Sequence, residues 1–389
     1  MILIIHSYIL DFRGDNMKKV HNRLIAFVVS LIILGLFVLF IFMPKVEFSE
    51  NENRYLQSFP KFKIKDFIEG DFIEDLESYL ADNFPFRDGF MSIKTLTEKV
   101  IGKEDINNVY LAEDDYLIEK YNNPQNNDKI IEVLNEFNET VNYVNMNLLL
   151  APTSIAINKD LLPKNAPTYD ELETIDYIYN KINFDTIDTY EILKEKNKDY
   201  QMYYRLDHHW TTFGAYYAYT KYAEANNITP YSLNSFDIKE VTNDFNGTLY
   251  SKSNDYTRKS DSIHTFTLKD ISYEVNYVSK EVIKDTMYED SYLTKKDKYS
   301  YFLDNNHPLI VITNKSINTK KELIVIKDSY ANSIVPFLAN HYKKVHVIDP
   351  RYYKNSISDY IKENKNIKDG LILYNVMTMD SDLGILGIK

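Results

Sequence analysis

The stretch Lys321-Glu-Leu-Ile-Val-Ile-Lys-Asp-Ser-Tyr-Ala-Asn-Ser-Ile-Val-Pro-Phe-Leu-Ala-Asn340 decides the fold class. Leu323 to Ile326 is a short β-branched apolar run, Lys327-Asp328-Ser329 is a polar break, and Ala331 to Asn340 has helical spacing. The pattern predicts strand, turn and helix. Ser329 would then sit at the carboxyl end of a strand, where open α/β sheets place ligands, with the amino end of a helix to favour negative charge. That makes Ser329 the candidate nucleophile.

The same alternation runs outward from this stretch. Downstream, Val345 to Ile348 reads as a strand, Ser356 to Glu363 as a helix and Leu371 to Val376 as a strand. Upstream, helices are predicted over Asp128 to Val144, Glu171 to Ile182 and Thr211 to Asn226, with strands at Asn147 to Thr153 and Phe184 to Asp188. Strands alternating with helices imply a mainly parallel sheet covered by helices, an α/β fold. Residues 230–310 interrupt the pattern with Thr-, Ser- and Tyr-rich segments that read as an insertion with β-structure. Asp66 to Asp82 has near-helical spacing, and Asn83-Phe-Pro-Phe-Arg87 ends it. Residues 45–62 read as an extended polar strap.

Asp207-His208-His209-Trp210 lies about 120 residues before the candidate nucleophile. It puts a carboxylate, two imidazoles and the only tryptophan into four positions of a chain with eight histidines and no cysteine. An aspartate two residues before a histidine can hold that imidazole in one tautomer and make it a general base for a nucleophile from elsewhere. Two other readings stay open. Asp and His also ligate metals, although the other histidines after the apolar segment (His264, His307, His341, His346) have no ligand-like spacing. The block could also be only a helix start, with Asp207 or Thr211 as its cap and Trp210 in the core.

Leu24 to Met43 is twenty residues without a charge, about the length that spans a bilayer as a helix. Lys18, Lys19 and Arg23 precede it, so the positive-inside bias leaves the amino terminus in the cytoplasm and exports the chain beyond Met43. A cleavable signal peptide is the competing reading, but the run exceeds the usual apolar core of such a peptide and no Ala-x-Ala site comes after it. Met17-Lys18-Lys19 would make the more ordinary start for such a leader. Past Met43 the chain carries 41 basic and 55 acidic residues, a net charge of −14, which disfavours nucleic acid as a partner. Without cysteine there are no disulfides, thiolate nucleophiles or thiolate metal sites.

Together the Asp-His-His-Trp block, the Asp328-Ser329 pair and the Glu52-Asn53-Arg54 and Asp82-Asn-Phe-Pro-Phe-Arg87 blocks resemble the DHHW family. That family is similar to the SGNH-hydrolase-like proteins related to alginate-type polysaccharide O-acetyltransferases. The resemblance implies an SGNH-like domain whose catalytic set is an Asp-x-His pair followed by a distant serine, here Asp207, His209 and Ser329. Lys327 stands where the relatives' motif has glycine. Asp328 would brace the turn, and Arg54 and Arg87 would tie the amino-terminal segment down.

Asn246, Gly247, His208 and Trp210 are candidates for oxyanion or substrate contacts, Trp210 being first a packing residue. The expected organisation is a cytoplasmic segment (1–23), a transmembrane anchor (24–43), an extracellular strap and helical region (44–127) and a catalytic domain (128–389) with an insertion near 230–310. The implied function is a membrane-anchored extracytoplasmic enzyme that acetylates hydroxyls of a cell-surface polysaccharide through an acyl-serine, with a membrane-embedded acyltransferase as donor partner. No metal or cofactor is called for. An acetyl esterase or a non-catalytic glycan-binding or scaffold protein of the cell envelope are the alternatives.

Overall fold

In the computed structural model, which describes residues 2–49, 51–52, 54–382 and 384–388 with side chains from residue 20 onward, the run at 323–326 lies at the heart of a sheet. The eight strands of that sheet are, in chain order, β1 (Asn145–Ala151), β2 (Asp185–Thr186), β3 (Tyr273–Tyr277), β4 (Val282–Lys284), β5 (Leu309–Asn314), β6 (Glu322–Lys327), β7 (Lys344–Ile348) and β8 (Ile367–Asn375). Their spatial order is β4-β3-β5-β7-β6-β8-β1-β2. The run β7-β6-β8-β1-β2 is parallel throughout.

Such a sheet must be covered on both faces, which is why its central strands read as mostly apolar runs. Leu323 and Val325 of β6 point to one side, where the Thr212–Ala225 helix packs Ala215, Tyr219 and Tyr222. Ile324 and Ile326 point to the other, against Ile130, Leu134 and Phe137 of the Asn127–Thr140 helix and Ile175 and Ile178 of the Glu171–Tyr179 helix.

The 230–310 stretch holds the expected β-structure, part of it within the sheet. Asp237–Phe245 and Asp261–Thr267 form a separate hairpin, but β3 and β4 join the main sheet as its antiparallel edge. The helix expected over 331–340 is a 3-10 turn (Ser329–Ser333) followed by a short α-helix (Val335–Leu338). Pro336 supplies no backbone N–H and is tolerated only in a helix's first turn, so the helix has to restart there.

The chain divides into two compact units, Met1–Lys94 and Thr95–Lys389, the second holding the sheet. In the first, Val20–Phe42 is the one helical segment among the described residues long and apolar enough to cross a membrane. The strap contains a minimal pairing of Phe48–Ser49 with Arg54–Tyr55. The helix expected over 66–82 is two, Ile64–Glu69 and Asp71–Asp82, because Gly70 adopts a left-handed conformation (φ +94°) that breaks it. Arg54 holds the Asp82 carboxylate through both terminal nitrogens (2.6 and 2.9 Å), and Arg87 donates to Glu52. Both arginines thus tie the strap to the helices of this unit.

Candidate active site

Ser329 heads the turn that leaves β6, half-buried. The preceding Asp328 is fully buried and does the bracing. One of its carboxylate oxygens accepts from Tyr330 N (2.9 Å) and the other from Asn375 N and Nδ2 (2.9 and 2.7 Å) at the end of β8. Burial pushes its carboxyl up to about 6, against the pull of those donors.

Lys327 is also buried. Its ammonium donates to Asn306 (2.6 Å) and Asn332 (2.7 Å) and faces Asp349 (3.4 Å), which Arg351 grips with two nitrogens (2.8 and 2.6 Å). The residue standing in place of glycine therefore anchors the turn from behind.

The histidine block is fixed from its own neighbourhood. Tyr203 and Trp210 bridge in antiparallel fashion, Thr211 N donates to Met202 O (2.8 Å), and Thr211 caps the following helix through Gly214 N (3.3 Å). Gly214 is required there, since a Cβ would lie 2.5 Å from Met202 O. Trp210 has no exposed surface, and its indole NH donates to Tyr330 O (2.9 Å) and Ser333 Oγ (3.0 Å). As a substrate candidate Trp210 is therefore corrected: it has no face open to a ligand, and it joins the histidine block to the serine turn.

Between these two fixed pieces runs a continuous relay. Asp207 Oδ1 accepts from His209 N (3.0 Å) and lies 2.5 Å from His209 Nδ1, while His209 Nε2 lies 2.8 Å from Ser329 Oγ. Asp207 Oδ2 accepts from both the amide and hydroxyl of Thr248 (2.8 and 3.1 Å). Burial pushes Asp207 up, but the two imidazoles and these donors outweigh it and hold the carboxyl well below the usual carboxylate range. His209 shifts down to about 4, chiefly through burial and secondly through His208, against the attraction of Asp207. At neutral pH it is a neutral imidazole with a carboxylate on one nitrogen and a hydroxyl on the other, the arrangement that lets a serine give up its proton as it attacks. The ring of Tyr299 stacks on His209 (3.7 Å between centroids, 11° between planes), and its hydroxyl donates to Ser329 O (3.1 Å).

The remaining candidates fall around this relay. His208 is half-buried with Nδ1 2.6 Å from Thr248 Oγ1. Gly247 sits against Asp207 so closely that a Cβ would lie 2.3 Å from its Cβ and Oδ2. The loop that was a candidate for the oxyanion therefore serves Asp207 instead, through Thr248. The Asn246 amide donates to Asp244 (3.1 Å) and its oxygen accepts from Ser260 (2.9 Å), so its side chain is engaged away from Ser329. Asp207, His208 and His209 are also close enough to share a metal ion, but an ion on His209 would have to displace either Asp207 or Ser329 from its ring.

Sequence reasoning missed Thr248, Tyr299 and Asn375. Thr248 directly follows the flagged Gly247, and Asn375 lies one position before the end of the predicted strand Leu371 to Val376, so position alone could have raised both. Tyr299 lies in the aperiodic stretch and gave no signal.

A family model described as DHHW protein matches residues 97–348, which include the whole relay. The chain belongs to the DHHW family. No curated protein matches it. Among solved structures, a DHHW family protein from Eubacterium siraeum is 24% identical with a TM-score of 0.64, covering 72% of this chain and 95% of that one. Bacillus cereus PatB1 with a sulfonyl adduct is 22% identical with a TM-score of 0.60, covering 73% of this chain and 100% of that one. The O-acetyltransferase domain of Pseudomonas putida AlgJ gives a TM-score of 0.46 at 12% identity, covering 70% and 92%. The fold of this DHHW protein is thus SGNH-like α/β, with a large, mostly parallel sheet flanked by helices and one amino-terminal apolar helix.

Proposed function

We propose that this DHHW protein is a membrane-anchored, outward-facing O-acetyltransferase that moves an acetyl group onto hydroxyls of a cell-surface polysaccharide. The observation that carries the reading is the hydrogen-bonded series from Asp207 through His209 to Ser329, with its buried, neutral imidazole.

In this reading His209 Nε2 takes the Ser329 proton as Oγ attacks the acetyl carbonyl. Collapse of the tetrahedral intermediate expels the donor's leaving group, which receives that proton, and leaves acetyl-Ser329. His209 then deprotonates an acceptor hydroxyl, whose oxygen attacks the acetyl carbon, and Ser329 recovers a proton as the acetylated sugar departs. Asp207 holds the ring and stabilises the imidazolium. The Ser329 amide is the first oxyanion donor by position. The donor partner is a membrane-embedded acyltransferase. Residues 1–23 are cytoplasmic, 24–43 span the membrane, 44–127 form an extracytoplasmic strap and helical region, and 128–389 are the catalytic domain with its insertion near 230–310.

An acetyl esterase would use the same atoms, and the half-buried state of Ser329 favours it by leaving a route for water. Supplying an oligosaccharide acceptor separates the two by whether acetyl ends on sugar or only as acetate. The nucleophile itself is tested with phenylmethylsulfonyl fluoride, since the Bacillus cereus neighbour has been captured with a sulfonyl adduct. The full chain in detergent should take one sulfonyl group on Ser329, and none in Ser329→Ala. Labelling elsewhere, or equal labelling of both, would refute the assignment.

A further inference from the structure

A cleft of about 510 Å³ opens between the segment after Leu117–Glu119, the short helix Thr248–Ser253 and the helix Val376–Ser381, with His208 at one end. It is joined to the relay twice. The ring of His208 lies 3.9 Å from that of His209, and Thr248, which lines the cleft, donates to Asp207. The volume falls in the range of small-molecule ligand sites, enough for part of a glycan chain to enter while the rest runs out along the surface.

Its charges are distinctive. Two lysines and two carboxylates line it, and each is already engaged. Lys252 pairs with Glu119 (2.5 Å), Lys120 with Asp105 (2.9 Å), and Asp380 accepts the amides of Gln125 and Asn126 (2.7 Å each). The paired Lys252 and Glu119 still face solvent, so their charges offset one another there, and beside them lie the ring of His208 and the exposed amides of Asn122 and Asn123. A polyanion would meet no unpaired lysine in this lining and would have to compete with Glu119 and Asp105 for the two that are there, on a chain whose net charge is −12. An uncharged sugar needs only the hydrogen bonds that amides and hydroxyls provide.

We infer that this cleft is the acceptor site and that the acceptor is an uncharged glycan, not a polyuronate such as alginate. The inference rests on the acetyltransferase reading of the Ser329 site. The test is titration calorimetry on the full chain in detergent, with chitotetraose as the neutral probe and the galacturonic acid tetramer as the anionic one. Chitotetraose should bind at least about ten-fold more tightly, with an affinity indifferent to salt. Asn123→Trp, which fills the cleft from an exposed position, should abolish that binding, and Asn123→Ala should weaken it several-fold. Equal or tighter binding of the galacturonate, or chitotetraose binding untouched by both variants, overturns the inference. A Ser329 sulfonyl adduct without any tetramer binding sinks the cleft assignment alone. Tetramer binding blocked by Asn123→Trp, in a chain that takes no adduct, sinks the acetyltransferase reading and leaves a glycan site.

Discussion

In the proposed reaction His209 can work as a base only while it is neutral, and burial sets when that is so. With its pKa lowered to about 4, it stays unprotonated across the range in which an ordinary histidine, at 6.5, would have acquired its proton. The kcat/KM for a neutral acetyl ester should therefore hold level from pH 8 down to about pH 5 and fall only as the pH drops through about 4. A fall centred near 6.5, read from a pH profile of ester turnover, would mean that the imidazole is solvated and the relay looser than described. At this scale the sequence pointed to the three groups that the structure brings together, because Asp207 and His209 are two residues apart and Ser329 follows an apolar run. Their supports were hidden. Thr248 and Tyr299 reach the relay through contacts 41 and 90 positions along the chain from Asp207 and His209, and no local pattern encodes such a meeting.

Among the elements, the longer parallel strands were legible because burial on both faces leaves their central residues mostly apolar. The edge strands β3 and β4 were not, since one-sided burial and tyrosines gave them no clear period. Gly70 and Pro336 altered helices whose apolar spacing ran through them unbroken, so their backbone effect outweighed the pattern.

One junction between elements carries a further consequence. Glu171, buried at the start of the Glu171–Tyr179 helix, accepts from the amide and hydroxyl of Thr153 just past β1 (2.7 and 2.6 Å). Burial raises its carboxyl from 4.5 to about 7, against those donors. A raised folded pKa means stability that is full below about 4.5 and drains away as pH rises through about 7. Glu171→Gln lacks this charge, so from about pH 5 to pH 8 it should gain on the parent by up to about 3 kcal/mol. Thermal melts across that range check this, and a difference that does not change with pH would refute it.

For the whole molecule, the apolar Val20–Phe42 segment and the sheet-bearing unit make different demands of their surroundings, and the proposed topology puts a bilayer between the cytoplasmic amino terminus and the catalytic unit. Because the chain has no cysteine, one introduced thiol reports on one place. In intact cells, a membrane-impermeant maleimide should label Lys365→Cys, exposed on the sheet-bearing unit, and should reach Lys18→Cys, just before the apolar segment, only after lysis. Labelling of Lys18→Cys alone would invert the topology.

The central claim is that Ser329, activated by His209, carries the acetyl group. Its most direct measurement is the intact mass of the full chain after brief exposure to an activated acetyl ester, for the parent, Ser329→Ala and His209→Ala. The account predicts one added acetyl, mapped to Ser329 and missing from both folded variants. An adduct that persists in Ser329→Ala, or ester consumption no faster in the parent than in the variants, would contradict it.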